Sequence, residues 1–151
     1  MPVQCYTNRD MATSTLTTFD VLEDQATELA GQVSRVYYDS YDRKRHLLKS
    51  LYTPDSTVVW NGNCYKGQAA IHEFVMKLPS THHEINTLDC QPIVTACNPG
   101  TDTAILVVCE GKVKLGTDRK RREFSQNFIM SSNADGKLKI VSDCFRFIDR
   151  Y

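Results

Sequence analysis

The 151-residue chain has no long hydrophobic run. Its longest apolar stretch, AILVVC at residues 104–109, is far shorter than the ~20 residues of a membrane-spanning helix. The first 18 residues also lack the basic segment and apolar run of a secretory leader. We therefore expect a soluble, intracellular protein.

The chain also lacks an excess of either charge, with 18 Lys and Arg against 18 Asp and Glu. A protein whose main role is to bind nucleic acid or an anionic membrane needs a dominant basic face, so neither role is predicted. Two short basic runs, DRKRH at 42–46 and DRKRR at 118–122, each begin with an acidic residue. We expect both to be solvated surface, and the alternative is a weak contact with RNA phosphates, made together with a partner.

Cysteines spaced for metal binding are absent as well. None of the six cysteines belongs to a CxxC motif, and a chain of this length does not need disulfides, so we expect mostly buried, free thiols. His82 and Glu84 would share one strand face while His83 points to the other, and two ligands do not make a metal site. No metal and no cofactor is predicted. The cysteines are Cys5, Cys64, Cys90, Cys97, Cys109 and Cys144.

Residues 1–18 are polar and rich in Thr, which predicts a flexible head before a single domain at 19–151. From Phe19 to Tyr37, apolar residues recur at steps of three and four, which predicts a helix of about six turns. Asp42 to Tyr52 forms a predicted second helix that Pro54 ends.

Asn61-Gly62 lies between the short apolar segments VVW and NCY and predicts a β-hairpin. A third helix is predicted from Gly67 to Pro79. Four strand-like segments follow, at 81–94, 102–115, 122–132 and 137–149, separated by turn signals. The sequence therefore predicts an α+β domain with three helices on one face of a curved, mostly antiparallel sheet.

Strand alternation divides the last strands into two faces. The aromatic face, with Phe124, Phe128, Phe145 and Phe147, is predicted to lie under the helices. The opposite face mixes apolar and polar residues and is predicted to be a protein–protein interface. Its members are Arg146, Cys144, Ile148, Asn127, Ile129, Ser125, Val108 and Glu110.

Arg146 is a full charge in the middle of an apolar strand. A guanidinium at the centre of an interface favours a carboxylate on the partner, and in a homodimer it would meet its own copy. It would therefore disfavour self-pairing and favour a different subunit. The alternatives are a solvated arginine on an open sheet face, or an ion pair with Glu110 in the same chain.

The segments VYYDSYD, LKSLYTPDSTVVWNGNCYKGQAAI, FSQNFIM and SDCFRF resemble the nuclear transport factor 2-like superfamily. They are most similar to its nuclear transport factor 2-related export proteins, the small subunits of Tap-type mRNA export receptors. The resemblance extends from Phe19 to Arg150. It implies a cone-like fold and a heterodimer, formed sheet against sheet with the related domain of the large receptor subunit.

The same resemblance implies that the heterodimer carries mRNA through the nuclear pore by binding Phe-Gly nucleoporin repeats, with mRNA contacted indirectly. The protein would then shuttle between the nucleus, the pore and the cytoplasm. The family's arginine in CFRF, which meets an acidic residue of the receptor, falls on Arg146. No cofactor is implied.

The chain departs from the homodimeric importer of Ran-GDP in the same superfamily. That importer has an acidic residue after its pocket tryptophan and acidic residues in a later loop. Here Asn61 follows Trp60, and the loop KLGTDRKRRE is basic. Recognition of Ran through those carboxylates is not expected, and a homodimeric import factor is the alternative function.

The superfamily also contains isomerases and dehydratases, which need an acid–base pair inside the cone. Candidates are His83, Asp89, Tyr37, Tyr38 and Tyr65, and alternation puts His83, Ile85, Thr87 and Asp89 on the helix-covered face. The candidate pocket residues Trp60, Phe74, Phe124 and Phe128 are predicted to fill the interior. A non-enzymatic protein is therefore expected.

Overall fold

The computed structural model describes residues 18–93, 104–132 and 136–148. The predicted head lies outside these ranges, apart from Thr18. The elements are helix α1 (Thr18–Arg43), a 3₁₀ helix (Arg45–Leu51), strands β1 (Tyr52–Trp60) and β2 (Asn63–Lys66), helix α2 (Gln68–Lys77), and strands β3 (Thr81–Ile93), β4 (Ala104–Leu115), β5 (Arg122–Ser132) and β6 (Leu138–Phe147).

The six strands form one sheet in the order β2-β1-β6-β5-β4-β3. Strands β3 to β6 make an antiparallel meander, and β1 pairs antiparallel with β2. The exception is the parallel pairing of β1 with β6, which joins the N-terminal hairpin to the meander. The predicted α+β architecture is thereby confirmed.

The predicted boundaries of the second helix are wrong at both ends. Asp42 and Arg43 extend α1, whereas Tyr52 and Pro54 belong to β1. Tyr52 pairs with Ile140 of β6 and its side chain is buried, so tertiary packing overrides the local helical pattern. Pro54 is accommodated because the register of β1 on β6 shifts between Tyr52 and Thr57.

The predicted hairpin turn at Asn61-Gly62 is confirmed. Both residues have positive φ, 48° and 85°, as a type I′ turn requires. The backbone N–H of Asn61 donates to the carbonyl of Phe145 at 2.9 Å, and its side-chain oxygen accepts from the N–H of Phe147 at 2.8 Å. The turn is therefore bound to the end of β6.

The core lies between α1 and the inner face of the sheet. Phe124, Phe128 and Met130 of β5 are completely buried there, which confirms the predicted aromatic face. The ring of Tyr37 from α1 meets Phe128 edge to face, with centroids 4.8 Å apart. Such contacts add to the free energy gained by burying the rings.

A bulge in β3 reverses the predicted faces beyond Ile85. Ile85 pairs with Gly111 and Thr87 with Glu110, so Asn86 is one residue too many for the partner strand. Thr87 and Asp89 therefore point outward and are exposed, and their predicted place under the helices is wrong. At Gly111 a Cβ would lie 2.2 Å from the carbonyl oxygen of Glu84, so the bulge requires glycine there.

Candidate functional site

The eight predicted interface residues lie on the outer face of β4, β5 and β6 or directly after β6. They form ordered rows across the strands. In one row Arg146 pairs with Ser125, which pairs with Glu110. The next row runs from Cys144 through Asn127 to Val108, so the sequence placed these side chains on a common face correctly.

Three large apolar side chains are exposed on this outer face. Val108 and Ile129 each keep 36% of their surface accessible and Ile148 keeps 47%. Ile129 pairs with Leu106, next to the row that contains Val108, so the apolar surface is continuous through the middle of the sheet. An apolar area of this kind, edged by polar residues, is typical of a surface that another protein covers.

Arg146 is exposed beside this apolar area. Glu110 lies two strands away, on the far side of Ser125, and two strand spacings are about 10 Å. Within residues 18–93, 104–132 and 136–148, no hydrogen bond or ion pair engages the Arg146 guanidinium, so the intrachain pair with Glu110 is not observed there. Its five N–H donors are available to a partner.

At the β4–β5 end of the outer face the charges are paired. Arg121 forms an ion pair with Glu84, and Lys112 lies 4.0 Å from Glu123. The Arg122 guanidinium lies over the ring of Phe147, 3.7 Å from its centroid. Arg146 differs from these cations in lacking such a contact among the described residues.

Inside the cone, a polar network centres on Asp143 of β6. One of its oxygens accepts hydrogen bonds from Tyr52 at 2.8 Å and Tyr37 at 3.2 Å, and the other accepts from Gln126 at 2.8 Å. The Gln126 amide also donates to the Tyr37 hydroxyl at 3.0 Å, and its oxygen accepts from Tyr38 at 2.7 Å. The network links α1, β1, β5 and β6.

Burial sets the ionisation of this network. It raises the pKa of the Asp143 carboxyl to about 6, because the hydrogen bonds from Gln126, Tyr52 and Tyr37 offset only part of the lost hydration. Burial also raises the pKa values of Tyr37 and Tyr52 well above the usual value for tyrosine, and the nearby Asp143 charge adds to the rise. Both hydroxyls therefore remain protonated donors at neutral pH.

A second buried contact joins α1 to β3. One Asp42 oxygen lies 2.6 Å from Nδ1 of His83 and accepts from Thr81 Oγ1 at 2.8 Å, and the other accepts the His83 backbone N–H at 2.8 Å. Burial alone would raise the pKa of Asp42, but these hydrogen bonds hold it below its usual value. Asp42 is therefore an ionised anchor for the start of β3.

His83 and Tyr37 line a small void inside the cone, together with Trp60 and Gln126. Its volume is about 10 Å³, which is room for about one water molecule. Of the predicted pocket residues, Trp60 lines this void; Phe74 touches Trp60 with ring centroids 5.5 Å apart, and Phe124 and Phe128 are buried in the core. The void does not admit an organic substrate.

Two of the acid–base candidates, His83 and Tyr37, line this void, and each is hydrogen-bonded to a carboxylate of the fold, Asp42 and Asp143 respectively. Asp89 is on the exposed outer face, and Tyr65 stacks on Phe74 with centroids 4.0 Å apart. Tyr37 and Tyr38 donate to Asp143 and Gln126. Sequence reasoning missed Asp143 and Gln126 as polar core residues, although alternation had placed each beside buried phenylalanines, and that position was the available signal.

The described cysteines are free, but of these four only Cys109 is fully buried. Cys64 and Cys144 are exposed, whereas Cys90 is half-buried and Cys109 is buried. Burial raises the pKa of the Cys109 thiol to about 11, so this thiol stays protonated. The expectation of mostly buried thiols is therefore wrong for Cys64 and Cys144, which lie on the outer face in one row, on either side of Val59 of β1.

The family model of the nuclear transport factor 2 (NTF2) domain matches residues 29–147. NTF2-related export protein 1 of Bos taurus is 42% identical over 134 residues, covering 87% of this chain and 94% of that protein. The chain belongs to the NTF2-related export protein family. Nuclear transport factor 2 of Schizosaccharomyces pombe is 32% identical over 120 residues, covering 78% of this chain and 92% of that protein.

The comparison with solved structures confirms that the chain has the NTF2-like fold. Nuclear transport factor 2 of Cryptosporidium parvum has a TM-score of 0.68 and 28% identity, with coverage of 80% of this chain and 92% of that one. A putative dehydratase of the NTF2-like family from Streptomyces avermitilis has a TM-score of 0.66, but only 16% identity. That likeness extends to the fold alone. No helix in the described ranges is long and apolar enough to cross a membrane.

Proposed function

We propose that this protein is the non-enzymatic small subunit of a heterodimeric nuclear export receptor. The observation that supports this is the outer sheet face, which carries exposed Val108, Ile129 and Ile148 together with an arginine without an ionic partner among the described residues. A partner that covers this face gains apolar burial, and an acidic group on it satisfies Arg146.

The partner we propose is the related domain of a Tap-type mRNA export receptor. Two domains of this fold can pack their outer faces together, as two sheets do in a sandwich. The small subunit then acts by covering and stabilising the receptor domain. The complex binds Phe-Gly nucleoporins, carries mRNA mainly through the large subunit, and shuttles between the nucleus, the nuclear pore and the cytoplasm.

The solution mass of the complex tests this proposal. Light scattering is applied to the purified chain alone and after mixing with the NTF2-related domain of a Tap-type receptor. A one-to-one complex that replaces the free chain supports the proposal. A chain whose mass does not change on mixing contradicts it.

A homodimeric nuclear transport factor is the second candidate, and one observation favours it. Arg146 and Glu110 lie on opposite sides of Ser125, so a two-fold axis parallel to β5 at Ser125 would pair each Arg146 with Glu110 of the other copy. An axis at β6 would instead bring the two arginines together. A stable dimer, with twice the mass of the chain, that does not bind the receptor domain would favour this candidate.

A further inference from the structure

Two basic segments lie outside the proposed interface. Residues 112–122 contain six Lys and Arg and one Asp, and residues 42–46 contain three Lys and Arg and one Asp. They hold nine of the 18 basic residues of the chain and two of its 18 acidic residues. The neutral total therefore hides a strong local excess of positive charge.

The fold brings these distant segments to one end of the cone, on either side of residues 78–81. From one side, the Arg45 guanidinium donates to the carbonyls of Leu78 at 2.7 Å and Pro79 at 2.8 Å. From the other side, the N–H of Gly116 donates to the carbonyl of Ser80 at 2.6 Å. Arg45 therefore joins the end of α1 to residues 78–79, whereas its neighbours Arg43 and Lys44 are exposed.

The acidic residue of the first segment is held inside the fold, away from the surface cations. Asp42 is only 13% exposed, and its two oxygens are taken up by His83 and Thr81. Arg43 is 76% exposed, and its ion pair with Asp39 at 3.4 Å is also exposed, which makes it a weak interaction in water. The basic charge of the α1 C-terminus is therefore presented to solvent.

Four further cations are exposed at this end and form no ion pair within the described ranges: Lys44, Lys114, Arg119 and Lys120. We call them, together with Arg43, the basic end. Residues 114–121 carry no exposed large apolar side chain, although Leu47, close to Lys44, is 45% exposed. The 114–121 part of the basic end therefore lacks the anchor on which a protein interface normally depends. An extended polyanion needs no such anchor.

We propose that the basic end binds the phosphodiester backbone of single-stranded RNA, without reading the bases. Its cations come from two segments separated by residues 78–81, which suits a ligand with charges repeated along its length. The absence of exposed apolar side chains at 114–121 favours phosphate contact over base stacking. The proposal does not depend on heterodimer formation, because none of the five residues of the basic end is among the eight predicted interface residues.

Fluorescence anisotropy with a labelled oligouridine tests this inference on the full chain over a range of salt concentrations. The charge-reversed variants Arg119→Glu with Lys120→Glu, and separately Lys44→Glu, should each weaken binding roughly tenfold at low salt. Replacing four of the cations by alanine should lower the slope of log affinity against log salt by about 3. Arg35→Glu, an exposed arginine in the middle of α1, is the matched control and should remain within about twofold of the parent.

Three outcomes would overturn the proposal. One is RNA binding that is unchanged in the charge-reversed variants, provided that thermal unfolding shows them to be folded. Another is a loss of RNA affinity in the Arg35→Glu control that equals the loss in the charge-reversed variants. The third is displacement of the labelled RNA by polyglutamate as effectively as by unlabelled oligouridine at the same concentration of charge. That result would indicate that the basic end binds an acidic protein.

The interface proposal fails separately from this one. Arg146→Glu should leave RNA affinity unchanged while it weakens the heterodimer. The variants of the basic end should form the heterodimer normally. If Arg146→Glu or a variant of the basic end lost both RNA binding and heterodimer formation, the two surfaces would not be separate.

Discussion

Asp143 accepts a 2.8 Å hydrogen bond from the hydroxyl of Tyr52, a residue 91 positions earlier in the chain. This hydrogen bond joins β1 to β6 inside the core. Its carboxyl titrates near pH 6 because it is buried, whereas an aspartate in an unfolded chain titrates near ~3.9. This difference makes the stability of the fold depend on pH.

We expect the Asp143 contribution to stability to be complete below about pH 4 and to be lost as the pH rises through about 6. The folded state binds the proton more tightly than the unfolded state does, so ionisation favours unfolding. The change amounts to about 3 kcal/mol in the free energy of unfolding. The side chain of Asp143→Asn cannot ionise. In urea unfolding at several pH values, the free energy of unfolding should therefore fall less with rising pH for the variant than for the parent. Equal pH dependence in the two proteins would contradict this account.

Arg146→Glu should weaken the heterodimer by about 3–5 kcal/mol if the arginine meets a buried carboxylate, because two like charges would then face each other. Titration calorimetry against the receptor domain measures the change. Arg35→Glu reverses another exposed arginine, on α1 and away from the interface, and should leave the affinity unaltered. A charge exchange on the partner should restore binding to Arg146→Glu, and an affinity within threefold of the parent would refute the role of Arg146.

Cys144 should become protected from alkylation when the partner binds, since it lies beside Arg146 on the exposed outer face. Mass spectrometry after treatment with iodoacetamide follows the reaction in the free chain and in the complex. Cys109 is buried, and burial raises its pKa to about 11, so it should stay unmodified in both. Equal labelling of Cys144 with and without partner would argue against this interface.

Gly111→Ala should lower the free energy of unfolding by about 1–3 kcal/mol. The added methyl group would meet backbone atoms of Glu84 and Ile85, which cannot move without disturbing the β3 bulge. Gly31→Ala is the matched control, because nothing lies within 4 Å of its Cβ position in α1, and it should stabilise the helix by about 0.5–1 kcal/mol. Equal effects of the two substitutions would show that the bulge tolerates a side chain.

Local patterns predicted the parts of this fold that local interactions determine. The turn at Asn61-Gly62 requires positive φ at both positions, and a two-residue sequence signals it. The alternation of β5 placed Phe124 and Phe128 correctly, because no irregularity interrupts the strand up to Ile129. The same alternation placed the interface residues on one face.

The features that the sequence did not predict depend on contacts between distant residues. The bulge at Asn86 is one extra residue opposite β4, and it moved Asp89 to the surface. Tyr52 entered a strand because it pairs with Ile140, far along the chain. Neither pairing leaves a short sequence signal. The polar core around Asp143 was found only from the structure, although strand alternation had placed Asp143 beside buried phenylalanines.

The strand order has a consequence for how the protein is made. β6 follows the other strands in the chain but lies between β1 and β5 in the sheet. During synthesis, the β1–β2 hairpin and the β3–β5 meander therefore have no strand to join them until β6 leaves the ribosome. A nascent chain that stops after β5 exposes two unpaired strand edges, which are sites for association with other chains.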